Sequence, residues 1–233
     1  MPITLYQNNN SSIDVPHSGH TMNGLNDIVK SSTFIGRVTV TRPRKALTEE
    51  VIEKRIQKKH DAQAIRAFKK SQRIHMMTSR FNTETRDENR RFCEENWKNG
   101  CVYCCPQEVS QNIPLQSKMI VLEMDNDKNQ IYAIGMCSNK PFTNKYSVYQ
   151  NNNYNRYNYI GKHRIWRNEA SPLEEAVLKA LDQLCFYGND HMKRGQGLKA
   201  FPVKLLVNCK AVIDLPEFLE NMFNKRFMKN SSK

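Results

Sequence analysis

Two apolar runs joined by a short polar turn most constrain what this chain can fold into. The runs are KMIVLEMD, residues 118–125, and QIYAIGMC, residues 130–137, and the turn between them is NDKN. Runs of this length that are rich in Ile, Val and Tyr are typical of strands, and Asn and Asp favour tight turns. The sequence therefore predicts an antiparallel hairpin within a sheet.

Helices are predicted after this hairpin. The stretch ASPLEEAVLKALDQLCFYG has Ser171 as N-cap, a proline after it and Glu174 to complete a capping box. A last helix is predicted over residues 214–227, and FPVKLLVNC, residues 201–209, is predicted as a buried strand. This order of elements predicts an α+β fold, a small mixed β-sheet or partly closed barrel with two packed helices.

The chain divides into four segments by composition. Residues 1–45 are predicted to be a flexible or extended N-terminal arm, because they hold few large apolar residues. Residues 46–91 are predicted as a basic amphipathic helix and a linker, with the helical pattern starting at Thr48. Residues 92–228 are predicted as the globular α+β domain, and residues 229–233 as a tail.

The charge of the chain points to a polyanionic partner. Lys and Arg number 36 against 23 acidic residues, which gives a formal net charge of +13. Such a positive field concentrates nucleic acid or, as a second candidate, an anionic membrane surface. We predict no membrane insertion, because the chain has no apolar run of about 18 residues.

Cysteine usage favours an intracellular, reducing compartment. The chain has seven cysteines, an odd number, and its first residues lack the pattern of a secretory signal. These features argue against a disulfide framework and against secretion.

The stretch YNRYNYIGKHRIWR, residues 154–167, combines aromatic and basic side chains. It predicts a second pair of strands with a bend at Gly161 and Lys162. Tyrosine and tryptophan rings stack on unpaired bases, and Arg and Lys neutralise phosphates. The alternative is that these rings fill a core. The predicted nucleic-acid contacts, including two from the next basic stretch, are Tyr157, Tyr159, Trp166, Arg156, Lys162, Arg164, Arg167, Lys193 and Arg194.

That next stretch, GNDHMKRGQGLKAF, is rich in glycine and spans residues 188–201. Its glycines would let backbone N–H groups approach an anion while Lys193, Arg194 and Lys199 add charge. Its spacing is not that of a Walker loop or a dinucleotide-binding fingerprint. A plain surface loop is the alternative interpretation.

Two cysteines, Cys101 and Cys104, have the spacing that begins many zinc sites. A tetrahedral site needs two more ligands, which the fold would have to recruit from Cys93, Cys137 or His191. Buried thiols are the alternative, and we predict no cofactor.

Three acidic residues, Glu123, Asp125 and Asp127, stand at alternate positions and would suit a magnesium ion, although a solvated hairpin turn is the alternative. The chain has no nucleophile elbow, no HExxH motif and no phosphate-binding Gly-rich motif. The sequence therefore gives no support to catalysis.

Several blocks carry a family resemblance: NGCVYCCPQEVSQNIP, MIVLEMDNDKNQIYAIGMCSNKP, YNRYNYIGKHRI and LDQLCFYGNDHMKRGQG. In this order they resemble a mostly uncharacterised family of large nucleocytoplasmic DNA viruses, over about residues 99–226. The hairpin and the basic aromatic stretch are also similar to PUA-type or EVE-type barrels, which are small RNA-binding folds. The resemblance implies a viral protein in the host cytoplasm or the virion.

Together these features predict a non-enzymatic protein of a large DNA virus that binds single-stranded RNA or DNA through the basic aromatic hairpin. The alternative is a structural or assembly protein of the virion, a minor capsid or core protein whose N-terminal arm threads between subunits. Its partners would then include viral capsid or core proteins. An enzyme with a cysteine or metal centre is a third, weaker hypothesis, and no small-molecule substrate is evident.

Overall fold

The computed structural model describes residues 48–96, 100–142 and 146–228. Within them, the helices are α1 (Glu49–Ser71), α2 (Thr83–Asn96), α3 (Pro172–Phe186), α4 (Val203–Cys209) and α5 (Leu215–Phe223). The strands are β1 (Ile74–Phe81), β2 (Cys101–Cys105), β3 (Lys118–Asp125), β4 (Gln130–Ser138), β5 (Tyr157–Gly161), β6 (His163–Trp166) and β7 (Lys199–Ala200). None of these helices is long and apolar enough to cross a membrane. The predicted arm and tail lie outside the described residues.

Five strands form one mixed sheet in the order β6–β4–β3–β1–β7. Strands β1 and β3 run parallel, and the other neighbouring pairs are antiparallel. The predicted hairpin is confirmed as β3 and β4. Strands β2 and β5 form a separate antiparallel ribbon. The predicted α+β fold with a small mixed sheet is therefore confirmed, and the strands of the described residues do not close into a barrel.

Both faces of the five-stranded sheet are covered, so β3 is buried along almost its whole length. One face packs against α3, α4 and α5, and Leu122 is among the strand residues in this core. The other face packs against α2 and the β2–β5 ribbon, and Val121 lies in that second core. Successive side chains of a strand point to opposite faces, which is why these neighbours enter different cores.

The predicted helices of the C-terminal half are confirmed as α3 and α5. The Ser171 hydroxyl accepts a hydrogen bond from the Glu174 amide, and the Glu174 carboxylate accepts one from the Ser171 amide. Asp214 caps α5 in the same way, by accepting from the Glu217 amide. A π-helical turn, Asn224–Met228, continues α5.

Strand β1 is the main element that the sequence pattern missed. The predicted basic helix ends at Ser71 as α1, and the residues after it form a strand between β3 and β7. Met76 belongs to one core and its neighbour Met77 to the other, so β1 is buried on both faces and lacks the alternation of a half-exposed strand. The predicted start of the globular domain at residue 92 therefore falls inside the folded body.

Two further predictions about local structure are wrong. Strands β5 and β6 do not pair with each other, because β5 pairs with β2 and β6 pairs with β4. The bend at Gly161 instead carries the chain from the ribbon to the sheet, and a Cβ atom at Gly161 would lie 1.9 Å from the Met136 carbonyl oxygen. Residues 203–209, predicted as a buried strand, form helix α4, and the strand before it is only Lys199–Ala200.

Candidate functional site

The structure does not bring the nine predicted contact residues together on one exposed surface. Tyr159 is fully buried, and its hydroxyl accepts a hydrogen bond from the Val109 amide at 2.9 Å. Burial raises the pKa of Tyr159 to about 12. Tyr157 and Trp166 are half-buried. Since a ring inside the core cannot stack on a base, the predicted role of Tyr159 is wrong.

Arg164 is also buried, with 3% of its surface exposed. Its Nε donates to the Glu123 carboxylate at 2.9 Å, and its Nη2 donates to the Asn89 side-chain oxygen at 2.7 Å. The Trp166 ring lies 5.0 Å from the guanidinium. The predicted phosphate contact of Arg164 is wrong, because its charge is neutralised inside the protein.

Arg167 is held by two carboxylates of α3. It donates to Glu175 at 2.8 and 2.9 Å and to Asp182 at 2.8 Å. It also donates to the Ile131 carbonyl of β4, so it ties α3 to this strand. The predicted contact of Arg167 with phosphate therefore competes with these ion pairs. Of the remaining predicted cations, three are exposed and one is half-buried: Arg156, Lys162, Arg194 and, half-buried, Lys193.

The cysteine pair proposed for zinc does not converge on one point. Cys101 and Cys104 lie three residues apart on β2, so their side chains point to opposite faces. The Cys101 thiol contacts the Met136 and His163 carbonyls, and burial raises its pKa to about 12. In the described part of the chain, no group of three or more His, Cys, Asp or Glu side chains is placed to hold a metal ion.

The three acidic residues considered for magnesium have separate roles. Glu123 pairs with Arg164 inside the protein, and Asp125 pairs with Arg86. Asp127 accepts hydrogen bonds at 2.7 Å from the amide and the hydroxyl of Thr83, and these bonds lower its pKa. The carboxylates therefore serve the fold rather than a shared ion.

A cleft of about 480 Å³ opens beside the carboxyl end of β1. Its walls are residues 79–81 of β1, the first turns of α2, the segment that carries Tyr149 and Tyr154, and the glycine loop 195–197. A cleft of this size is within the range of sites that hold small ligands or single ligand groups. It is the place where the glycine-rich stretch singled out in the sequence meets aromatic side chains.

Arg80 lies in the wall of this cleft as a half-buried cation. Its Nε donates to the Met192 carbonyl, and its Nη2 donates to the Thr78 hydroxyl at 2.9 Å. Among the described residues, no carboxylate pairs with Arg80, and its Nη1 is buried without a hydrogen-bond partner. Burial lowers the pKa of Arg80 from its usual value. The guanidinium is therefore an unmatched donor at the edge of the cleft.

Asn126 supplies an unmatched acceptor in the same wall. Its side-chain nitrogen donates to the Lys193 carbonyl at 3.1 Å, whereas its side-chain oxygen is buried and has no partner among the described residues. Buried polar groups are nearly always hydrogen-bonded in folded proteins. A donor and an acceptor that are both buried and without a partner among the described residues thus belong to two side chains of the cleft wall.

Two tyrosine rings form the aromatic side of the cleft: Tyr154 is half-buried, and Tyr149 is buried, with 8% of its surface exposed. Tyr149 and Tyr154 meet edge to face, with ring centroids 6.2 Å apart. The Tyr149 hydroxyl accepts a hydrogen bond from the Asn89 side chain at 3.0 Å, so the ring lies with its hydroxyl anchored in the interior. Tyr154 belongs to the aromatic stretch 154–167, although it is not one of the nine predicted contacts.

The glycine loop closes the cleft on the side of the exposed cations. Gly195 and Gly197 have φ angles of +115° and +62°, which favour glycine. A Cβ atom at Gly197 would lie 2.9 Å from the Cys105 Cβ atom, so the loop packs closely against β2. Lys193 and Arg194 directly precede this loop. Neither Lys193 nor Arg194 is among the described residues that line the cleft.

The α2 side of the cleft is acidic. Glu84 and Glu88 line it. The Thr83 amide donates to Asp127, and the Thr85 amide donates to the Asn82 side chain at 2.8 Å. Two amides of the first turn of α2 are therefore already bonded.

Sequence patterns pointed to the glycine loop of this site but not to Arg80, Asn126 or Tyr149. Arg80 stands in a segment predicted as helix and linker, so its place at the end of a strand was not visible. Tyr149 follows an irregular segment without helical or strand periodicity. Comparison of the chain with known protein families, curated proteins and solved structures finds no match.

Proposed function

We propose that this chain is a non-enzymatic nucleic-acid-binding protein of a large DNA virus, and that a base of single-stranded RNA or DNA lies in the cleft. The observation that carries this proposal is Arg80, a half-buried guanidinium with an unmatched donor in a cleft that two tyrosine side chains also line. The site replaces the predicted basic aromatic hairpin, whose residues Tyr159 and Arg164 are buried.

A nucleobase suits the chemistry of the cleft walls. Its flat face can pack on the half-buried Tyr154 ring, which the buried Tyr149 ring supports edge to face, and such stacking contributes about 1–3 kcal/mol per base. Its edge carries both acceptors and donors, which match the free donor of Arg80 and the free acceptor of Asn126. Only an unpaired base presents its face and its edge together, so a single strand fits better than a duplex.

The phosphates would lie at the basic rim. Lys193, Arg194 and Lys199 flank the glycine loop, whereas Glu84 and Glu88 repel a phosphate from the α2 side. The basic side chains would therefore face the backbone of the strand. The net charge of +13 adds a long-range attraction that raises the rate of encounter.

We expect the full chain to bind a fluorescent single-stranded oligonucleotide in an anisotropy titration. Each neutralised phosphate of a single strand contributes a slope of about −0.7 to log K against log salt. Three rim cations therefore predict a slope of roughly −2, which is a roughly twentyfold loss of affinity between 50 and 200 mM salt.

The control for this titration is a duplex of the same sequence. The proposal expects weaker binding of the duplex, because its bases are stacked and paired. Equal affinity for both forms would show that the charge alone binds nucleic acid and that the cleft has no part in it. Absence of binding at low salt would remove the proposed function.

One observation favours a role in virion assembly as the second candidate. Helix α1 has no buried residue, and Val51, Ile52 and Ile56 are exposed on its first turns. An exposed apolar stripe on a basic helix is typical of a surface that meets another protein. Quantitative mass spectrometry of purified virus particles separates the two roles, since an abundant particle component favours assembly.

A further inference from the structure

We infer that Asn89 and Arg164 are positioning residues for the cleft, which they serve by fixing the ring of Tyr149 from inside the protein. This inference rests on the proposed function, because it concerns how the same cleft is kept ready for a base. Neither Asn89 nor Arg164 lines the cleft, and both are buried. They reach it through a continuous chain of hydrogen bonds.

Asn89, at the centre of this chain, is a fully buried residue of α2. Its side-chain nitrogen donates to the Tyr149 hydroxyl at 3.0 Å and to the Val102 carbonyl at 2.8 Å. Its side-chain oxygen accepts from Arg164 at 2.7 Å. Every strong hydrogen-bonding direction of this amide is thus used, so the side chain has one orientation.

The charge of Arg164 decides that orientation. A guanidinium only donates, so the amide oxygen of Asn89 must face Arg164 and the amide nitrogen must face Tyr149. Arg164 is itself held by Glu123, whose Oε1 also accepts from the Tyr103 hydroxyl at 2.7 Å. A buried ion pair gives little net stability compared with well-packed apolar residues. Apolar residues in place of this pair could not orient the Asn89 side-chain amide, because they have no hydrogen-bond donor for its oxygen.

The backbone of Tyr149 is held at two more points. The Asn155 side-chain oxygen accepts from the Tyr149 amide at 3.1 Å, and the Asn155 side-chain nitrogen donates to the Tyr149 carbonyl at 2.7 Å. The ring is therefore fixed at its backbone and at its hydroxyl. Because the Tyr149 ring supports the Tyr154 ring edge to face, a fixed Tyr149 keeps Tyr154 in place for a base, and this preorganisation increases affinity.

The test is a double-mutant cycle on the affinity of the full chain for a single-stranded oligonucleotide. Tyr149→Phe removes only the anchored hydroxyl, and Asn89→Leu removes the amide that holds it. Each change is expected to weaken binding roughly two- to tenfold, the effect of freeing one side chain. The double variant should have the same affinity as the single variant that binds less tightly, because both changes remove the same hydrogen bond between Asn89 and Tyr149.

The core variant Leu181→Ala, a buried residue of α3 on the other face of the sheet, is the control. It should lower the melting temperature without changing the affinity, which separates positioning from loss of stability. Additive losses in the cycle, or Tyr149→Phe with wild-type affinity, would overturn the inference and leave the proposed function standing. If Asn89→Leu does not fold, the affinity of Tyr149→Phe decides alone. A wild-type protein that binds no oligonucleotide overturns the proposed function, and this inference with it.

Discussion

Replacing Arg164 by methionine should lower the free energy of unfolding by about 3–5 kcal/mol, the range for breaking one side of a buried ion pair. The side chains of Arg164 and Glu123 are 1% and 0% exposed, so removing the guanidinium leaves a carboxylate without water or counter-charge. Asn89 loses the donor to its side-chain oxygen at the same time. Urea denaturation followed by circular dichroism measures the effect.

The matched control for this change is the double variant Arg164→Met with Glu123→Gln. Glutamine has no charge and can still accept from the Tyr103 hydroxyl, which donates to Glu123 at 2.7 Å in the wild type. The double variant should therefore recover a large part of the lost stability. A double variant as unstable as the single one, or a single variant that loses less than about 1 kcal/mol, would contradict the buried pairing.

Replacing Arg80 by glutamine should weaken the binding of a single strand by roughly tenfold to a hundredfold. The estimate follows from about 1.5–3 kcal/mol for a hydrogen bond to a charged group. Arg80 has an unmatched Nη1 and no carboxylate partner among the described residues. The change therefore removes a cation from the wall of the cleft. Anisotropy titrations with one oligonucleotide at one salt concentration give the ratio.

Arg66→Gln is the matched control, because it makes the same change of charge at an exposed position of α1. It should alter affinity by less than about threefold, the effect of one distant charge in salt. Equal losses for Arg80→Gln and Arg66→Gln would show that the protein attracts nucleic acid by net charge alone. Melting temperatures of both variants show whether Arg80→Gln remains folded.

Local sequence signals predicted the parts of the fold that local interactions determine. The β3–β4 hairpin follows from two apolar runs and the NDKN turn, and α3 follows from the caps at Ser171 and Pro172. These signals involve residues within a few positions of each other. Because the interactions that form the hairpin and α3 are local, both elements could be predicted without knowledge of the rest of the fold.

Pairing between distant segments was not predictable in the same way. β5 was expected to pair with β6 across the bend at Gly161, yet it pairs with β2, more than fifty residues earlier. Strand β1 was hidden because both of its faces are buried and its parallel partner, β3, lies beyond α2 and β2. Which strands pair depends on which apolar surfaces are still exposed when the rest of the chain has folded.

In the candidate site, too, local patterns were visible in the sequence and contacts between distant segments were not. The glycine loop was visible because glycines beside Lys193 and Arg194 are a local pattern. The sequence predicts Tyr159 and Arg164 at the surface because tyrosine and arginine often lie there. Both are buried: Tyr159 accepts a hydrogen bond from the Val109 amide, and Arg164 pairs with Glu123. Composition therefore predicts a polyanionic partner, whereas the cleft is visible only in the fold.

Ultraviolet crosslinking of the full chain to a single-stranded oligonucleotide, followed by mass spectrometry of the peptides, tests the central claim most directly. We predict crosslinks at Tyr154 and the loop 195–197, which line the cleft. Crosslinks that fall instead on α1, or spread evenly over the exposed cations, would contradict the proposal that an unpaired base occupies this cleft.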